Sequence, residues 1–138
     1  MTGFNTEITR SFIGDNCWFH RNYAGDSVLD EDVGIGSGTV LANFRLDERE
    51  VASQVSGVKI KTGRFKLGAI IGEGVRLGVN ASVMPGVKIG ANSFIGAGVV
   101  LDRDLPAESF CVAKKAYSVS KNKYQATTCI RVKLKKKL

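Results

Sequence analysis

IGEGVR LGVNAS VMPGVK IGANSF IGAGVV LDRDLP, residues 71–106, reads as hexapeptides in a single register. An aliphatic residue opens each one: Ile71, Leu77, Val83, Ile89, Ile95 and Leu101. Three residues after each comes Gly74, Asn80, Gly86, Asn92, Gly98 or Asp104. The same register holds upstream at Tyr23, Leu29 and Ile35, followed by Asp26, Asp32 and Gly38. All nine turn positions are therefore Gly, Asn or Asp. These residues enter the left-handed backbone region (φ > 0) at least cost. A fixed six-residue period predicts a parallel β-helix solenoid. The aliphatic residues point inward, and the small or β-branched Val33, Thr39, Val75, Ala81, Val87, Ser93 and Val99 line the rest of a narrow interior. Three hexapeptides close one triangular coil, and stacked coils pair as parallel strands about 4.8 Å apart. No run of helical period competes in these segments. The expected fold is all-β, a left-handed parallel β-helix, an exception to the usual right-handed crossover rule.

Outside this stretch the register holds less well. Residues 1–12 carry no motif. A first hexapeptide starts near Ile13, and Phe19 follows six residues on, but the next interior position, Tyr23, comes only four later. Regular coil resumes through Leu41. Residues 43–68 then break it with charge (Arg45, Asp47, Glu48, Arg49, Glu50) and a strand-like stretch from Val55 to Lys61. An interruption of this length inside a compact domain reads as a functional excursion loop. Pro106 ends the repeat. The expected organisation is a β-helix domain over 1–112, about four coils deep, with an excursion at 43–68 and a basic C-terminal extension over 113–138. A solenoid of this size exposes flat coil faces, so a homotrimer is expected.

Charge and cysteine content narrow the setting. The net charge is +7, but residues 113–138 hold nine basic and no acidic side chains, while residues 1–112 are net −2. The positive excess lies wholly in the tail, where it suits an anionic ligand or surface. The alternating Ile130-Arg131-Val132-Lys133-Leu134-Lys135 suits an edge strand guarded by cations. No apolar run approaches the ~18 residues of a membrane helix, and Glu7 and Asp15 interrupt the N-terminal region, so neither a membrane span nor a signal peptide is expected. Cys17, Cys111 and Cys129 have no motif spacing, which reads as a reducing, cytoplasmic setting.

His20 is the only histidine. That excludes the histidine-ligated zinc of the β-helix carbonic anhydrases, and Cys17 with His20 is far short of a metal set. No metal is expected. Cys17 fits an interior position better than a nucleophile's. His20 falls on the register slip, where a side chain is directed out of the coil wall, and imidazole suits proton transfer near neutral pH. Gly34-Ile35-Gly36-Ser37-Gly38 has the look of a phosphate loop, yet Thr39 stands where G-x-G-x-x-G needs glycine, and the repeat explains its glycines.

Two segments carry a resemblance. His20-Arg21-Asn22-Tyr23-Ala24-Gly25-Asp26-Ser27 and Gly36-Ser37-Gly38-Thr39-Val40-Leu41-Ala42-Asn43 resemble the acetyltransferase domain of the bifunctional sugar-1-phosphate nucleotidylyltransferase/acetyltransferases. The runs 43–48, 62–72 and 83–90 are most similar to the archaeal-type branch. The resemblance covers residues 7 to 115, and its specific parts are H-x-x-Y-x-G-D and G-T-x-x-A-N. It implies transfer of an acetyl group from acetyl-CoA to an amino-sugar 1-phosphate, glucosamine 1-phosphate above all, between subunits of a trimer. His20 would be the general base, with Tyr23 and Asn43 holding the sugar and orienting the amine. Backbone near Val79 and Ala97 would meet acetyl-CoA along a coil edge, and Lys114 and Lys115 its phosphates. This gives the basic tail a small anionic ligand, steered over a Debye length of about 8–10 Å. Neither nucleic acid nor membrane is expected as a partner.

The chain departs from the family in places. Where members carry a lysine before the histidine it has Ile8, with Arg10 nearby; Phe44 replaces a tyrosine; and Arg49 falls where relatives use a loop lysine. Arg10, Arg64 and Lys66 are the candidates for the sugar phosphate. The family's nucleotidylyltransferase domain has no counterpart in these 138 residues. The alternative is a non-catalytic β-helix that trimerises or regulates a nucleotidylyltransferase. His20, Tyr23 and Asn43 together favour the enzyme, since a structural coil needs no base at a register break.

Overall fold

The computed structural model describes residues 1–114 and 118–123; Lys115, Cys129 and the alternating segment 130–135 lie outside the described residues. Among the described residues there is no helix, and so none long and apolar enough to cross a membrane. Three parallel sheets form the walls of a triangular β-solenoid. The first stacks Glu7–Thr9, Tyr23–Gly25, Val40–Leu41, Ser82–Val83 and Val100–Leu101. The second stacks Phe12–Ile13, Val28–Leu29, Ile70–Ile71 and Lys88–Ile89. The third stacks Trp18–Phe19, Gly34–Ile35, Arg76–Leu77, Phe94–Ile95 and Phe110–Cys111. Two walls are five strands deep, one coil more than the repeat predicts. The extra rungs come from the motif-free N-terminal segment and from Phe110–Cys111, which lies beyond Pro106 and pairs with Phe94–Ile95.

Pairing registers align the interior in columns. Ala24, Leu41, Val83 and Leu101 stack behind the first wall, Leu29, Ile71 and Ile89 behind the second, and Phe19, Ile35, Leu77 and Ile95 behind the third; all are buried. Tyr23 is not in this set. It pairs with Val40 on the outer side, while Ala24 takes the inward place opposite Leu41. The six-residue count back from Leu29 lands on Tyr23, but the inward position is Ala24, five residues from Phe19 and five from Leu29, one short of six on each side.

The corners follow the predicted chemistry at eight positions: φ is positive at Asp26, Asp32, Gly38, Gly74, Asn80, Gly86, Asn92 and Gly98. Asp104 is the exception. The coil slips again there, so that Leu105 bridges to Ile89 and Glu108 takes the left-handed turn. Asp104 serves as a cap instead, its carboxylate accepting the Lys88 amide at 2.8 Å and the Lys88 ammonium at 2.7 Å.

At three places a buried hydroxyl bridges the ladder. Thr39 Oγ1 donates to Gly78 O (2.8 Å) and accepts from Ala81 N. Ser27 does this between Gly25 and Ala69, and Ser93 between Pro106 and Ser109. A buried backbone group left unpaired would cost about 1–3 kcal/mol, so each of these small interior residues is chosen for its oxygen as well as its size.

The interruption is a β-hairpin, not a single strand. Val51–Val55 and Val58–Arg64 pair antiparallel across a turn at Ser56 (φ 49°) and Gly57 (φ 80°), the left-handed pair a two-residue hairpin needs. Lys88 ties the hairpin to the second wall, donating to Ser53 Oγ at 3.0 Å and Gln54 O at 2.5 Å.

Leu29 is fully buried at the centre of the stack. Leu29→Ala is expected to lower the unfolding free energy by about 2–5 kcal/mol, read from urea denaturation. A loss under about 1 kcal/mol would count against the interior column described above.

Candidate active site

The slip that displaces Tyr23 outward also sets His20. Between Phe19 and Ala24 the chain is one residue short of the repeat, and the Asn22 side chain bonds across the shortened corner. Its Oδ1 accepts the His20 amide at 2.7 Å, and its Nδ2 donates to Gly36 O at 2.8 Å and Thr39 O at 3.2 Å. Thr6 Oγ1 donates to the His20 carbonyl at 2.5 Å. The backbone of His20 is thus clamped on both sides. Its side chain is exposed and makes no hydrogen bond among the described residues. Sequence reasoning misses Asn22, whose signal is a polar residue inside a register slip.

His20 stands on the corner between the third and first walls. On that corner the Gly38 amide donates to Arg21 O, the Asn80 amide to Ser37 O and the Gly98 amide to Val79 O. Val79 and Ala97 therefore lie above one another, one coil apart, on the edge that begins at His20. The glycines of this edge are needed for space: a Cβ on Gly36 would strike Val79 N, and one on Gly78 would strike Ala97 N. From His20 to Ala97 is a climb of three coils, about 14 Å at 4.8 Å per coil. Lys114 is exposed just past the last strand.

The other end of the first wall holds a polar cluster. Asp26 follows Tyr23–Gly25, and Asn43 follows Val40–Leu41 in the next coil. Arg10 grips Asp26 with Nε at 2.7 Å and Nη2 at 2.8 Å, while Asn43 Nδ2 donates to Asp26 Oδ2 at 2.5 Å. The Tyr23 ring runs along the outside of the wall, bringing its hydroxyl over Gly25 beside the Asn43 amide; a Cβ on Gly25 would collide with both. Tyr23 and Asn43 thus meet, with Tyr23 spanning from the His20 corner towards the Asp26 corner. No direct contact joins His20 to Asn43 among the described residues.

Arg10, Arg64 and Lys66 line one cavity of about 410 Å³ with Asp26. Arg10 is largely committed to Asp26, whereas Arg64 and Lys66 are exposed. The repeat alone marks Asp26 as a turn residue. It is that and more: its φ is 47° and its carboxylate organises the cluster.

The Arg10 hydrogen bonds hold the Asp26 carboxyl below its ordinary 3.8, against a burial effect in the other direction, with Asn43 and the charge of Lys66 adding to the lowering. A depressed folded pKa gives stability that is full above the unfolded pKa and lost as pH falls through the folded one. The denaturation midpoint of Asp26→Asn should therefore trail the wild type by a constant gap from about pH 7 to about pH 5, and the gap should close below about pH 4. A gap independent of pH would show that the carboxylate charge contributes nothing.

Comparison with known proteins matches residues 68–103 to the bacterial transferase hexapeptide family (six repeats). The chain is 48% identical over 104 residues to the bifunctional sugar-1-phosphate nucleotidylyltransferase/acetyltransferase of Sulfurisphaera tokodaii, covering 75% of this chain and 26% of that protein. It is 41% identical over 122 residues to the bifunctional protein GlmU of Methanococcus vannielii, covering 88% of this chain and 29% of the relative. The chain thus spans under a third of the length of these relatives. A mutant of perosamine N-acetyltransferase from Caulobacter crescentus, solved with CoA and GDP-perosamine, shares the fold with a TM-score of 0.57 at 24% identity, over 82% of this chain and 50% of that one. Residues 68–103 thus form a hexapeptide-repeat domain of the transferase type, and most of the chain's length is homologous to part of the archaeal sugar-1-phosphate nucleotidylyltransferase/acetyltransferases.

Proposed function

We propose that the chain is an acetyl-CoA-dependent N-acetyltransferase acting on an amino-sugar 1-phosphate, glucosamine 1-phosphate in the first place, and working as a homotrimer. The observation that carries this reading is the His20 corner: an exposed imidazole on a clamped backbone, at the foot of the edge that carries Val79 and Ala97. An extended thioester laid along that edge brings its acyl end to the histidine. The Sulfurisphaera relative bears an acetyltransferase activity in its name, and the perosamine enzyme of like fold was solved with CoA.

In this reading the acceptor amine attacks the thioester carbonyl directly. The C–N bond forms and the C–S bond breaks. His20 takes the proton the amine loses, and the CoA thiolate leaves and is protonated in turn. Tyr23 and Asn43 hold the acceptor against the first wall. Arg64 and Lys66 face its phosphate, with Arg10 contributing the N–H groups Asp26 leaves free. Lys114, and Lys115 beyond the described residues, meet the phosphates of CoA. A neighbouring subunit closes the site over the wall.

His20→Ala should abolish thiol release from acetyl-CoA in the presence of glucosamine 1-phosphate, a loss of about 10²–10⁴-fold, while sedimentation shows an unchanged oligomer. Unchanged turnover in this variant would overturn the assignment of His20.

A further inference from the structure

What Asn43 can hold depends on which end of its amide faces outward. Its Nδ2 lies 2.5 Å from Asp26 Oδ2. A carboxylate only accepts, so the nitrogen end must face Asp26. The Oδ1 is thereby turned away from Asp26, and it makes no hydrogen bond among the described residues. Asp26 is itself fixed from the far side, where Arg10 engages both of its oxygens. Gly25 adds a spatial condition. Its φ is not positive, and what a Cβ there would meet is the Asn43 amide and the Tyr23 hydroxyl, so that both would have to shift.

We infer that Asp26 is the positioning residue of the acceptor site: anchored by Arg10, its carboxylate locks Asn43 with the carbonyl oxygen outward, so that the site selects an acceptor offering an N–H or O–H donor beside Tyr23. This rests on the acetyltransferase reading above. Asn43 would then accept an N–H or O–H of the acceptor beside Tyr23, at the end of the wall away from His20. Without the carboxylate the amide is free to turn and present N–H₂, which repels such a donor. Arg10 acts on the acceptor through Asp26 and Asn43.

The test uses the full chain, with Asp26→Asn removing the charge and Gly25→Ala displacing the amide without changing any charge. Thiol-release kinetics are run with glucosamine 1-phosphate and acetyl-CoA, alongside acetyl-CoA binding and the ¹H–¹⁵N signals of the Asn43 side-chain amide. Both variants should raise the acceptor KM by about tenfold to a hundredfold, the worth of a charge-assisted hydrogen bond, and leave the acetyl-CoA Kd within about twofold. The Asn43 amide signals should shift and exchange faster with solvent. Equal effects on acceptor and acetyl-CoA, or an Asn43 signal unmoved by Asp26→Asn, overturn the inference. If the wild type acetylates no amino sugar, the acetyltransferase reading falls, and the Asn43 signal alone still decides whether Asp26 orients it.

Discussion

Every coil of the solenoid exists only while its backbone pairs with the coils above and below. No helix and no second layer supports it among the described residues, so the N–H and C=O groups of each strand must find partners at a fixed rise. Side chains carry part of that pairing. Asn22, Ser27, Thr39, Ser93 and Asp104 are such bridges, each bonding the backbone of a neighbouring coil. The corner turns serve the same constraint, since a left-handed residue lets the chain change direction within one rung.

The chemistry sits beside the bridges. The shortened corner that Asn22 bonds across holds His20 at the edge of the wall and turns Tyr23 to the outside. The excursion leaves the wall at Asn43 and returns at Ala69, and the Ser27 hydroxyl that mends this detour lies next to Asp26. Regular coil supplies a stiff frame between the two places, which allows polar groups on opposite ends of one short wall to serve a single ligand.

The interior and the corners are legible in the sequence because each has a simple steric demand. A narrow apolar column admits few side chains, and φ > 0 favours Gly, Asn and Asp. Tyr23 defeats that reading because a slip leaves no trace in a six-residue count, and only the three-dimensional stack shows that Ala24 is the residue that fits. The hairpin turn is signalled by Ser56-Gly57, yet its flanking valines and isoleucine read equally well as one strand. Asp104 passes every compositional test for a corner and is a strand cap instead, since aspartate suits both positions. His20, Tyr23 and Asn43 are legible only through resemblance to a family. Asp26 stays hidden because its backbone role already accounts for it.

The stacked edge that carries His20, Val79 and Ala97 is also a ruler. Each of its graduations is one coil, eighteen residues long between Leu77 and Ile95 and about 4.8 Å high. The reach from histidine to upper edge therefore changes only in whole steps, by inserting or deleting a complete coil. A single-residue insertion would not lengthen it at all, but would turn the interior outward. Ligand length and coil number are thereby tied to one another, and selection for a longer or shorter ligand has to act in quanta.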